Sequence, residues 1–193
     1  MFKKTLLILL ASLFIASVVS AATYQVDPAH SQVRFTVAHL VMFKVTGVFT
    51  EFSGTATADP ESKTLQSITA TIDTKSIDTR IEKRDNHLRS DDFFSADSFP
   101  QIKFVSKKIV GSGSDITIYG DLTIRDQTRE ITLKGSYLGS IQDGWGNQVA
   151  GFEAIGKINR KDFGLTWNKV LETGGLTVGE EVEIGLEIQA KKQ

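Results

Sequence analysis

The 193-residue chain contains no cysteine. That excludes disulfides, thiol nucleophiles, thiolate metal sites and a lipid-modified N-terminal cysteine after export. It also lacks a basic excess, with 22 Lys plus Arg against 23 Asp plus Glu, so nothing in its charge argues for a nucleic-acid partner. Internal repeats, low-complexity tracts and linkers are missing, and 193 residues leave room for one domain rather than two. What is present, 40% hydrophobic and 23% charged residues, is the composition of a folded globular chain.

A single long apolar run stands at the start. Lys3 and Lys4 precede Leu6 to Val19, and Ser20-Ala21-Ala22 then supplies small residues, the pattern of a cleavable secretory signal peptide. The run falls short of the roughly 20 apolar residues of a helical membrane crossing. The expectation is a signal peptide over residues 1–22 and one domain over 23–193. Removing Lys3 and Lys4 leaves 20 basic against 23 acidic residues, a charge of −3, and hence a mildly acidic, soluble, exported protein.

From Tyr24 onward apolar residues alternate with polar ones, the period of strands with one buried face. Val33, Phe35, Val37 and His39 share a face, as do Ile68, Ala70 and Ile72, Ile102 and Phe104, and Ile116, Ile118, Gly120, Leu122 and Ile124. Ile131, Leu133, Gly135 and Tyr137 continue the pattern, followed by Val182, Ile184, Leu186 and Ile188. Turn residues separate the runs at Asp59-Pro60, Gly111 to Ser114, Arg125 to Thr128 and Asp143 to Asn147. Links this short join antiparallel neighbours. The eight or nine strands counted this way predict an all-β, eight-stranded antiparallel barrel, whose closure removes exposed edges; a two-sheet sandwich is the alternative.

One segment changes period. Thr79 and Glu82 read as a capping box, Ile77, Ile81 and Leu88 recur at helical spacing, and Asp85 with Arg89 forms an i,i+4 pair. Ser90-Asp91-Asp92 reads as the cap of a second short helix carrying Phe93 and Phe94, ended by Pro100. A short helical insert around residues 79–96 therefore covers one end of the barrel.

An eight-stranded barrel is either filled by its own side chains or holds one small ligand. Small residues fall at inward positions here: Ala70, Gly120, Gly135, Ala154 and Gly156. Two readings stay open, glycines that leave apolar space and glycines that bend strands for closure. If space is left, parity assigns Val33, Phe35, Val37, His39, Ile102, Phe104, Ile118, Leu122, Leu133, Phe152 and Leu186 to its wall. Leu40-Val41-Met42-Phe43 is an apolar run where a turn is normally polar, so Met42 and Phe43 are expected at a hydrophobic mouth, or else packed beneath the helix or across a dimer seam, with His39 as the nearest polar handle.

Asp27-Pro28-Ala29-His30-Ser31, Phe35 with His39, Gly47 with Phe49 and Gly54, Ser76 to Thr79, Arg84 to Phe94, Phe99-Pro100 and Gly120 to Thr123 together resemble the YceI family across essentially the whole mature chain. The stretch from Arg84 to Phe94 is the most specific part of the match. The resemblance implies a periplasmic, lipocalin-like antiparallel barrel that holds a long polyisoprenoid or similar amphiphilic lipid in its lumen, often as a homodimer. No cofactor beyond that lipid is expected, and transient membrane contact is a further expectation for such a carrier.

Other function classes are weaker. Catalysis would have to use His30, His39, His87 or Ser31, yet no G-x-S-x-G or H-E-x-x-H pattern surrounds them. A lipid-spanning barrel would turn Arg34, Lys103, Lys107, Lys134, Glu183 and Glu187 outward into hydrocarbon. A stress-related barrel with no ligand is the remaining alternative, distinguished by what is extracted from the purified protein.

Overall fold

A computed structural model describes residues 21–172 and 174–193. Most of the expected signal peptide lies outside the described residues; Ala22, at its expected end, opens the first strand. In chain order the elements are β1 (Ala22–Val26), β2 (Gln32–His39), β3 (Phe43–Phe49), β4 (Phe52–Asp59), β5 (Thr64–Asp73), the two-residue β6 (Ile77–Asp78), α1 (Glu82–Arg89), β7 (Gln101–Ser112), β8 (Asp115–Ile124), β9 (Gln127–Gln142), β10 (Gln148–Asn159) and β11 (Val178–Lys192).

The pairings run β1–β4–β5–β7–β8–β9–β10–β11 and close through β1 against β11, all antiparallel. β1 and β2 are two halves of one strand. A 3-10 turn at Pro28–His30 interrupts it, and both halves pair with β11. β3 and β4 are likewise one strand broken at Thr50-Glu51, pairing with β2 and β1. The barrel thus has eight strands, and the turn after Val26 accounts for a sequence count of eight or nine.

Because neighbours are antiparallel, the ends of β2, β5, β8 and β10 meet at one rim. The 40–42 hairpin, the 74–100 insert, the 125–126 turn and the described residues between β10 and β11 therefore all lie there. At the opposite rim are the short turns after β4, β7 and β9.

The insert is helical, but its local chemistry differs from the sequence expectation. No side chain caps α1 at its N-cap residue Ile81, and Thr79 with Glu82 forms no capping box. Buried Asp85 reaches back instead, accepting from the Thr79 backbone N–H (2.9 Å) and hydroxyl (2.5 Å). Arg84 donates to the Thr79 hydroxyl and carbonyl, while Arg89 donates to the carbonyls of Lys75 and Ile77 and to Asn86. The expected Asp85–Arg89 pair is absent because both groups satisfy this backbone. Ser90 is the C-cap of α1, its hydroxyl donating to the His87 carbonyl, and Phe93 and Phe94 stand in turns rather than a second helix.

Candidate functional site

Inside the barrel lies a cavity of about 250 Å³ with an almost wholly apolar wall. Strand parity builds it. Val33, Phe35 and Val37 of β2, Ile102 and Phe104 of β7, Ile118 and Leu122 of β8, Leu133 of β9, Phe152 of β10 and Leu186 of β11 all border it. Ala70 and Ala154 do too, and their small side chains leave part of the space. Leu88, Phe93 and Phe94 of the insert close over the 74–100 rim, joined by Leu165. Phe94 meets Phe49 edge-on, and Phe93 packs with Trp167 and His87.

His39 is not on the wall where parity put it, and Met42 and Phe43, expected at the mouth, lie outside the wall as well. The register of β11 slips between Val178 and Val182, opposite Val37 to His39, so alternation stops predicting direction at the end of β2. His39 there places Nδ1 3.1 Å from the Thr177 carbonyl. Met42 is 80% exposed, with Val41 and Phe43 also exposed beside it. Leu40 and Val41 take positive φ values of 49° and 64°, unfavourable for a β-branched residue. The hairpin is held out as an apolar tip, tied by the Leu40 N–H to the Thr177 carbonyl.

The inward glycines are seats for neighbours. A Cβ at Gly120 would stand 2.4 Å from the Phe104 ring, one at Gly156 2.4 Å from Leu133 and one at Gly47 2.4 Å from Phe35. Gly135 is pressed against the Glu153 carbonyl, 2.8 Å from where its Cβ would lie. They do more than bend strands: each accommodates a close approach by a neighbouring side chain or carbonyl.

The histidines do not converge on the cavity. His30 sits beside Asp27, Nδ1 to Oδ2 at 3.0 Å, and His87 beside Asp92 at 2.9 Å. Asp27 also caps the 3-10 turn through the Ala29 N–H and meets Lys191 of β11. Lys191, then His30, pull its carboxyl down to about 2. The Asp27 to Ser31 motif is therefore a joint, reinforced by the Ser31 hydroxyl bonding across to Gln189.

Sequence reasoning missed the contributions of Leu88, Phe93, Phe94, Leu165 and Arg160 to the wall. The adjacent aromatics Phe93-Phe94 signalled burial without direction, and residues 160–177 carry no periodicity to read.

A barrel with an apolar cavity under a helical lid defines a class of small-molecule-binding folds. The YceI-like domain model matches residues 24–190, and the chain belongs to that family. Protein YceI of Escherichia coli O17:K52:H18 is 41% identical over 167 residues, spanning 84% of this chain and 87% of that one. The crystal structure of Burkholderia cenocepacia BcnA superposes with a TM-score of 0.71 at 27% identity, over 85% of this chain and 98% of that one. A Saccharophagus degradans domain described as polyisoprenoid binding shares the fold, with a TM-score of 0.64 at 14% identity over 89% and 99% of the two chains.

Proposed function

We propose that this barrel is a periplasmic carrier or store that encloses part of a long apolar or amphiphilic ligand, such as an isoprenoid lipid or a quinone tail, and performs no catalysis on it. The observation that carries the reading is the apolar cavity of about 250 Å³ inside the barrel. An engineered apolar cavity of roughly 150 Å³ holds six-carbon benzene, so this one holds about ten carbons, or two isoprene units. At about 0.8 kcal/mol per methylene, burying them is worth on the order of 8 kcal/mol before ordering costs. Membership of the YceI family and the shared fold with a polyisoprenoid-binding domain support the same ligand class.

The outer face favours a barrel surrounded by water over one spanning lipid. Arg34 pairs with Glu187, Lys44 with Glu183, Lys107 with Glu130 and Lys157 with Glu181 around the strands, and charges there are costly in hydrocarbon. The exposed Val41-Met42-Phe43 tip gives the carrier a small apolar surface for transient membrane contact at the lidded rim. Native mass spectrometry of protein purified from its own compartment tests the proposal. A bound lipid mass that organic extraction removes supports it, whereas protein that carries no ligand and takes up none from isoprenoid alcohols overturns it.

A further inference from the structure

The cavity wall contains one buried guanidinium. Arg160, just beyond β10, is 4% exposed and borders the cavity at the lidded rim. Arg34 and Glu153 also lie along that wall, but Arg34 pairs with Glu187 on the outer face and Glu153 is exposed. Arg160 has no such release. Its Nε donates to the Gly179 carbonyl (2.8 Å), one terminal nitrogen to the Leu165 carbonyl and the other to the Val178 carbonyl (3.4 Å).

Those three bonds go to neutral acceptors. Among the described residues no carboxylate lies within ion-pair distance of Arg160, and nearby Glu180 is engaged by Lys161. A guanidinium has five N–H groups, so one on each terminal nitrogen remains beyond these bonds. Burial disfavours the charged form and pushes its pKa down. A buried charge without a counter-charge is costly, while planar guanidinium donors suit carboxylate and phosphate oxygens.

We infer that Arg160 is the head-group determinant of the cavity, selecting amphiphiles whose apolar tail fills the barrel and whose head is an anion, a carboxylate or a phosphate. This rests on the ligand-binding reading above and adds the chemical class of the head. The anion neutralises the guanidinium while the tail follows Ile158, Ala154 and Phe152 down the β10 side of the wall.

Three ten-carbon probes sized to the cavity test it: geraniol, geranic acid and geranyl phosphate, each displacing a neutral fluorescent apolar dye from the full mature chain at 0.15 M salt. The acid and the phosphate are expected to displace the dye at concentrations at least tenfold below geraniol. Arg160→Met should reduce that preference, read as the ratio of each anion to geraniol within the same variant, to within twofold, while Arg160→Lys, which keeps the charge, should retain at least half of it on a logarithmic scale. Thermal melts establish that each variant folds; if Arg160→Met does not, the lysine variant and the wild-type comparison decide. Equal affinity of all three probes, or a preference that survives in Arg160→Met, overturns the assignment while leaving the cavity reading intact. Failure of every probe to displace the dye overturns the cavity reading itself. Inorganic phosphate alone should not compete up to millimolar concentration; if it competes as well as geranyl phosphate, the site binds a free anion and the amphiphile assignment falls.

Discussion

Replacing Ala154 with phenylalanine puts a ring where the ligand belongs. Ala154 is buried at the middle of β10, opposite Gly135 and Leu186, and its side chain borders the cavity. A benzene-sized group takes up roughly 150 Å³ of the 250 Å³ present, leaving space for about four carbons in place of ten. Losing burial of six carbons at about 0.8 kcal/mol each removes on the order of 5 kcal/mol, or between three and four orders of magnitude in affinity. The same ring gains burial of its own, so Ala154→Phe should melt at or above the wild-type temperature. Geraniol binding by dye displacement, with thermal melts on the same samples, measures both. A folded variant that binds geraniol as tightly as wild type would refute the assignment of this space to ligand. Gly135 is the wrong site for this experiment, since its Cβ would meet the Glu153 carbonyl at 2.8 Å and misfolding would be indistinguishable from blockage.

Asp85→Ala strips the buried acceptor from the Thr79 N–H and hydroxyl and should cost about 2 kcal/mol in urea unfolding, with faster hydrogen exchange across residues 78–90. Asp27, held near 2 by Lys191 and His30, contributes stability that is fully present above about pH 4 and lost as pH falls through 2. Asp27→Asn should therefore be less stable at neutral pH and flatten the acid limb of the stability curve between pH 4 and 2; an unchanged limb would disprove the linkage. In a series of isoprenoid alcohols, affinity should rise steeply from five to ten carbons, by up to about 4 kcal/mol before ordering costs, and then level off. A continued steep rise through 20 carbons would show that the barrel swells around its ligand.

Strand parity carried most of the wall because a residue's neighbours two positions away face the same way for as long as the ladder is regular. That condition holds from Val33 to Val37 and fails at His39, where the slip in β11 between Val178 and Val182 breaks the register. The broken first strand was legible too, in the Pro28 that cannot donate to a ladder. The roles of Asp85, Arg84, Arg89 and Arg160 were not. All four act on backbone groups brought to them by folding, and at Arg160 those carbonyls lie up to 19 residues away. Helical spacing suggested a capping box and an ion pair because it registers neighbours along the helix and is blind to the strand end folded against them.

The glycines explain how a barrel of this size keeps a hole. Large inward side chains ordinarily fill an eight-stranded lumen, and Phe35, Phe104 and Leu133 are large. Each lies instead across a glycine on the neighbouring strand, Gly47, Gly120 and Gly156 respectively, flattened against the wall rather than aimed at the axis. Gly120→Ala tests this directly. Its new methyl falls 2.4 Å from the Phe104 ring and 2.7 Å from the Val105 carbonyl, so the ring must move, and the carbonyl side offers no room. Overpacking of this kind costs about 1–3 kcal/mol, measurable by urea unfolding, and the displaced ring enters the space reserved for the tail. Stability and geraniol affinity should fall together, whereas a glycine needed only to bend its strand would lose stability and keep its ligand. Ala154→Phe, which fills the same cavity without displacing a neighbour from a glycine seat, separates the two effects: it should lose ligand while remaining at least as stable.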